Sequence, residues 1–211
     1  MSDVTQNLAQ NLSQSALVII DMQNDFIHPR GAYARGETGS AQIRALPSRL
    51  KPIADELRAR GGWVISTQFT LLTDQQGEPM ISPHLKAIRP FLRKGDFERG
   101  QWGHELIDEL QPAHLSVPKV AYSAFHQTYL EFFLKKANID TLIFCGIVTN
   151  GGVASTLRNA HVLGFKTLLL SDGCGAFSDE AHDSTVASLG TISEVMTCEA
   201  LLSLLKDNES R

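Results

Sequence analysis

Five or six short apolar runs alternate along this chain with longer segments of helical period, and that alternation is the sign of βα units wound into a mostly parallel sheet. The first run, ALVIIDMQ at residues 16–23, is apolar almost without a break through Ile20, as a strand covered on both faces must be. Further strands are predicted at residues 63–69, 119–122, 141–148, 166–172 and 194–197. The fold class is therefore α/β, with about six strands.

The intervening segments supply the helices. Residues 46–60 place Leu46, Leu50, Ile53, Ala54 and Leu57 on one face, and Gly61 and Gly62 provide the stop. Pro47 suits a first turn, while Pro52 leaves the start of that helix open. Leu130, Phe133, Leu134 and Ala137 form a second stripe; Val153, Leu157 and Ala160 form a third, ended by Gly164. Residues 71–100 carry three prolines and no period, which predicts a functional loop or lid.

No linker or repeat divides the chain, so one domain over residues 16–205 is expected, preceded by a polar, flexible leader at 1–15. The leader lacks the basic start and apolar centre of a signal peptide, and no apolar run approaches the ~20 residues of a membrane span. A soluble, cytoplasmic protein is expected. Lys and Arg total 19 against 23 Asp and Glu, mixed in sign along the chain, so neither nucleic acid nor an anionic membrane is favoured as a partner. Cys145, Cys174 and Cys198 show no CxxC spacing and read as free thiols.

In open parallel sheets a ligand sits beyond the carboxyl ends of the strands, where the strand order reverses. That rule selects Asp21 at the end of the first strand, with Gln23, Asn24, Asp25 and Phe26 after it, Gln68 at the end of the second, and Lys119, placed here at the start of the third. The fourth strand leads into the Gly-rich turn Val148, Thr149, Asn150, Gly151, Gly152. If strands one and four are neighbours, Asp21 and this turn share one crevice. Burial favours a protonated carboxyl and an adjacent ammonium favours the ionised one, so an Asp and Lys pair placed there can hold or deliver a proton. On spacing alone the simpler reading comes first, with Asp21 as a turn cap and Lys119 as a solvated charge.

The stretches ALVIIDMQNDFI and KVAYSAFHQTYLEFFLKKANIDTLIFCGIVTNGGVASTLRNAHVLGFKTLLLSDGCGAF resemble the isochorismatase-like hydrolase family, which includes cysteine amidohydrolases such as nicotinamidase and N-carbamoylsarcosine amidase. The resemblance runs over about residues 16–200. It implies a three-layer α/β/α sandwich with a doubly wound sheet, and an Asp, Lys, Cys triad in which Asp21 and Lys119 match and Gly152 stands in the cysteine's place. It also implies a cis peptide between Ile147 and Val148 and an oxyanion hole from the N–H groups of Val148 and Gly152. The implied substrate-binding set is Gln68, Val148, Thr149, Asn150 and Gly151; Phe26 and Tyr122 are added to it from the sequence, as aromatics that, like Phe125 and Trp102, fit either a pocket wall or the core.

Cysteine attack needs a thiolate, and Gly152 has none to give. Cys145 reads as a buried small hydrophobe, Cys174 as packing, and Ser155 lies a turn too far along its helix. The isochorismatases proper also carry glycine there, because an enol ether is cleaved by protonating its methylene carbon and adding water. On that reading Asp21 is the general acid, Lys119 tunes it, Gly152 leaves room for substrate and Gln68 contacts it. Departures exist. Thr149 and Asn150 look like the amidohydrolase branch, and no arginine is assigned to a substrate carboxylate, with Arg89, Arg93 and Arg99 as candidates. The histidines show no ligand spacing, and the His/Asp cluster of nicotinamidases is missing after Gln68, so no metal and no cofactor are expected. Three readings stay open: an isochorismatase-type hydrolase of a small anionic or enol-ether-like molecule, a C–N hydrolase with another nucleophile or water, and a binding protein without turnover. The family commonly assembles, so a homo-oligomer is expected.

Overall fold

The computed structural model describes residues 3–207. Six strands form one sheet: β1 (Ser15–Ile20), β2 (Trp63–Phe69), β3 (Leu115–Lys119), β4 (Thr141–Ile147), β5 (Lys166–Gly175) and β6 (Glu194–Met196). Their order is β3-β2-β1-β4-β5-β6 and every pairing is parallel. The chain builds outward from β1 to β3, crosses back to place β4 beside β1, and builds outward again to β6. The reversal therefore falls between β1 and β4, and a crevice opens at their carboxyl ends.

Nine α-helices accompany the sheet among the described residues: α1 (Asp3–Gln10), α2 (Asn24–Ile27), α3 (Ala32–Arg35), α4 (Ala41–Ala59), α5 (Pro83–Ile88), α6 (Leu130–Lys136), α7 (Ala154–Val162), α8 (Asp179–Leu189) and α9 (Cys198–Asp207). Strand side chains alternate between faces. Leu17 and Ile19 of β1 pack with Leu46, Leu50 and Leu57 of α4 and Leu201 and Leu205 of α9, whereas Ala16, Val18 and Ile20 pack with Leu130 and Leu134 of α6, Leu157 of α7 and Leu189 of α8. Helices thus cover both faces, which is why β1 reads as one unbroken apolar run.

Three expectations are corrected. The strand expected at residues 119–122 runs instead from Leu115 to Lys119. Ser116 and Pro118 hide it in the sequence; the proline is tolerated because β3 is an edge strand, where a missing N–H need not break a ladder. The consequence is functional, since Lys119 now ends its strand and stands at the same end of the sheet as Asp21. Helix α4 starts at Ala41 rather than near Pro47, because the Ser40 hydroxyl caps it by accepting from the Ile43 N–H at 3.1 Å, and both prolines lie inside. Finally, the leader expected to be flexible contains α1, which places Val4 and Leu8 in the core and whose Asn7 amide donates to Asp140 and Thr141, each at 2.6 Å. Two inward apolar residues on a polar helix leave little periodicity to read.

The segment at 71–100 is ordered by a third apolar cluster. Ala32, Tyr33, Leu71, Leu92 and Phe97 are buried together, with Phe26, Phe69 and Phe91 packed against them. Buried Asp25 latches the segment down: its carboxylate accepts the Phe97 N–H at 2.7 Å and the Ala32 N–H at 3.1 Å. Burial raises the Asp25 pKa above the ordinary carboxylate value, with those two N–H groups opposing the rise. Among the described residues no helix is long and apolar enough to cross a membrane.

Candidate active site

Asp21 follows β1 with φ of 54°, a left-handed turn that lifts its carboxylate over the end of the sheet. Oδ1 accepts from the Thr67 hydroxyl at 2.8 Å, and Oδ2 lies 2.7 Å from the Lys119 ammonium, which has reached across the end of β2. The two charged side chains are 8 % and 1 % exposed. Lys119 also donates to the Ala121 carbonyl at 3.1 Å and stands 5.9 Å above the Phe69 ring. A buried ion pair is retained only where each partner is held by further polar contacts, and Thr67 and Ala121 supply them.

Gly152 faces this pair. It lies in a single π-helical turn, Thr149–Val153, between β4 and α7, in which the Val148 carbonyl accepts from the N–H groups of Gly151 at 2.9 Å and Val153 at 3.3 Å. The Ile147–Val148 peptide is cis. Upstream, Gly146 adopts φ of 106°, and a Cβ there would lie 2.2 Å from the Ile20 carbonyl oxygen, so only glycine lets β4 close on the end of β1. A Cβ at Gly152 would point at the ion pair, 3.2 Å from Asp21 Oδ2 and 2.9 Å from Ile20 Cγ2. The missing side chain is what keeps that approach to Asp21 open.

The other predicted residues divide into those around this hollow and those elsewhere. Buried Gly151 lies under the Tyr122 ring, 3.3 Å from where its Cβ would be, while Tyr122 itself is 71 % exposed. Val148 is half-buried and Asn150 exposed. Thr149 is buried and committed to His182 of α8, 2.8 Å from its Nδ1. Phe26 belongs to the aromatic wall beside the site, its ring 4.6 Å from Tyr33 and 4.5 Å from Phe97.

Among the described residues no hydrogen bond joins Gln68 to Asp21, Lys119 or Gly152. The Gln68 amide nitrogen donates to the Ser66 hydroxyl, its oxygen has no partner among the described residues, and it borders an open cleft of about 430 Å³ with Arg99, His104 and Gln111. His104 there has a pKa lowered first by burial and then by the charge of Arg99. Phe125 stacks on Phe165 and Trp102 packs edge-on against His28. Arg93 and His126 are exposed.

Two threonines that sequence reasoning passed over hold the site. Thr67, one residue before Gln68, is the group that meets Asp21. Thr156 donates to the Gly152 carbonyl at 2.7 Å and accepts from the Ala124 N–H at 3.1 Å, tying the start of α7 to the segment that follows Lys119. The signal for Thr67 was available, because Ile65 belongs to the same face of β2 and Gln68 to the other.

No thiol reaches the hollow. Cys145, Cys174 and Cys198 are buried, Cys145 against the Val18 carbonyl and Cys174 against the Phe144 carbonyl, each at 3.8 Å. Burial pushes all three pKa values well above the ordinary thiol range. The folded chain therefore keeps protons that the unfolded chain releases above about pH 8.5, so stability is complete below that pH and falls above it by about 1.4 kcal/mol per pH unit for each thiol. Urea unfolding between pH 7 and 10 checks this, and native protein is expected to leave a thiol-specific chromogenic reagent unconsumed until it unfolds. Among the described residues no group of three or more His, Cys, Asp or Glu side chains is arranged to hold a metal ion.

Comparison with known proteins identifies the family and the fold. The sequence model of the isochorismatase domain matches residues 15–200. The isochorismatase family protein YecD of Escherichia coli O157:H7 is 29 % identical over 202 residues, covering 94 % of this chain and all of its own. A cysteine hydrolase from Pseudomonas syringae pv. phaseolicola 1448A has the same fold, with a TM-score of 0.79 at 23 % identity over 94 % of this chain and 95 % of its own. An isochorismatase-like hydrolase from Alkaliphilus metalliredigens superposes with a TM-score of 0.73 at 26 % identity, over 90 % and 96 %.

Proposed function

The chain belongs to the isochorismatase family of hydrolases, and on that footing we propose that it hydrolyses a small anionic or enol-ether-like substrate by proton donation from Asp21, without a protein nucleophile. One observation carries this reading: Asp21 Oδ2 is shared between the Lys119 ammonium at 2.7 Å and a hollow that exists because residue 152 has no Cβ. An attacking side chain is absent at the very position from which it would address a bound substrate. Beside that position stands the Asp21 carboxyl group, which this reading makes the proton donor.

The chemistry balances with these groups alone. Moving one proton across the short contact from Lys119 Nζ to Asp21 Oδ2 gives an undissociated carboxyl facing the hollow. That carboxyl protonates the terminal carbon of an enol ether, and the ring or alkoxy oxygen stabilises the resulting oxocarbenium ion. Water adds to the cation, losing its proton to the Asp21 carboxylate, and the hemiketal collapses to an alcohol and a 2-oxo acid. Thr67 fixes Oδ1, so the lone pairs of Oδ2 keep one direction through the cycle. The N–H groups of Val148 and Gly152 are the proposed donors to substrate oxygen, and Tyr122 covers the Gly151 side of the opening.

The test is incubation with isochorismate, followed by pyruvate release, beside a panel of amides, ureas and carbamoyl compounds followed by ammonia release. Pyruvate without ammonia is expected. Ammonia without pyruvate would replace this reading with C–N bond hydrolysis, and neither product would leave the binding-protein reading in its place.

A further inference from the structure

The turn that carries Gly152 has two glycines in succession, and glycine is the residue with the widest backbone freedom. At its head the Val148 N–H donates to no carbonyl among the described residues. The donors proposed for substrate oxygen therefore owe their direction to whatever grips the turn from outside. Two side chains do so. At its end Thr156 donates to the Gly152 carbonyl at 2.7 Å. At its start the Thr149 hydroxyl shares a hydrogen bond of 2.8 Å with Nδ1 of His182, 33 residues further on.

Both members of that second contact are buried, Thr149 completely and His182 at 8 % exposure. The sheet brings them together. Strand β5 runs beside β4 to its end, pairing Gly175 with Ile147, and so delivers α8 to the turn. Ser178 caps α8 by accepting the Ala181 N–H at 3.3 Å, and His182 stands one turn into the helix, its own N–H on the Ser178 carbonyl at 3.0 Å. The contact survives either charge state of the ring: a neutral imidazole protonated at Nε2 accepts the hydroxyl proton at Nδ1, and an imidazolium donates to the hydroxyl oxygen. The turn itself carries no titratable side chain. The pair thus acts as a mechanical anchor.

We propose that His182 is a positioning residue of the hydrolytic site: through the Thr149 hydroxyl it fixes the turn whose Val148 and Gly152 N–H groups meet substrate oxygen. This deepens the function proposed above and rests on it for the reaction, not for the hold of His182 on the turn. The competing role is a core pair that satisfies two buried polar groups and nothing more. That role predicts a loss of stability alone.

Pyruvate release from isochorismate and amide hydrogen exchange, measured on the full-length protein and its variants, separate the two. His182→Phe and Thr149→Val are each expected to lower kcat roughly ten- to hundredfold with KM within about threefold, because misdirected donors fail the transition state more than the bound substrate. His182→Asn puts a side-chain oxygen where Nδ1 stands and is expected to keep kcat within about threefold of wild type. The double variant His182→Phe with Thr149→Val is expected to lose no more than the worse single one, as two ends of one contact should. The Gly151 and Val153 amides, both donated to the Val148 carbonyl, are expected to exchange about tenfold faster or more in the phenylalanine and valine variants, while the amides of β1 keep their rates. Unchanged kcat in His182→Phe, equal losses in His182→Asn and His182→Phe, or additive losses in the double variant overturn the proposal. So does faster exchange throughout β1, the mark of lost stability alone. If His182→Phe fails to fold, Thr149→Val, which keeps the shape of threonine, gives the same decision. Absence of pyruvate release by wild type overturns the reaction instead, and exchange at Gly151 and Val153 then decides the anchor by itself, unchanged rates in both variants overturning it.

Discussion

Asp21→Asn is expected to lower turnover about 100- to 10,000-fold, the usual worth of a positioned general acid, and also to destabilise the fold. The second effect follows from burial. Lys119 is 1 % exposed and its charge is balanced by Asp21 at 2.7 Å; the amide would leave it with the Ala121 carbonyl and the Phe69 ring. Breaking a buried pair from one side typically costs about 3–5 kcal/mol, because a charge is left without a counterion. Urea unfolding measures that loss. The double variant Asp21→Asn with Lys119→Met removes the stranded charge, so it is expected to recover much of the stability and none of the activity. Turnover within threefold of wild type in Asp21→Asn would remove Asp21 from the chemistry, and unchanged stability would show that water reaches Lys119.

That pair also shows which parts of the molecule the amino-acid pattern discloses. The parallel sheet was legible because strands covered on both faces are apolar throughout, and β4 at residues 141–147 falls where such a run predicts it. Asp21 and the turn at Gly152 were legible as neighbours once strands one and four were placed side by side. Lys119 was assigned to the site from the wrong end of its strand. An edge strand containing Ser116 and Pro118 has no apolar signature, so β3 was displaced by about one strand length and the lysine seemed to precede it. Helix α1 escaped for a related reason, since its burial depends on two side chains. Thr67 carried a local signal, the face of β2 that it shares with Ile65, but its meeting with Asp21 depends on which face of β2 lies against the turn after β1, and that is set by the pairing of the strands.

Filling the hollow is the complementary experiment, and its expected effect is as large. In Gly152→Ala the new methyl carbon would stand 3.2 Å from Asp21 Oδ2, 2.9 Å from Ile20 Cγ2 and 3.2 Å from the Ile147 carbonyl oxygen. Ile20 is fully buried and branched at Cβ, so it yields only by moving its packed neighbours, a strain of about 1–3 kcal/mol for an added core methyl group. The larger consequence is chemical. A substrate carbon that must come within hydrogen-bonding range of Oδ2 to accept its proton is displaced by that methyl group, and misplacement by about 1 Å already costs about 100-fold. Gly152→Ala is therefore expected to lose at least that much pyruvate release while unfolding as a single cooperative transition. Gly152→Cys puts a thiol beside the Lys119 ammonium, a setting that favours the thiolate. It is expected to lose pyruvate release in the same way and to react with an alkylating reagent far faster than Cys145, Cys174 or Cys198. Ammonia release from an amide by that variant would tie the fold to thiol chemistry and count against an enol-ether substrate, whereas undiminished pyruvate release by Gly152→Ala would place the reacting carbon somewhere other than the hollow.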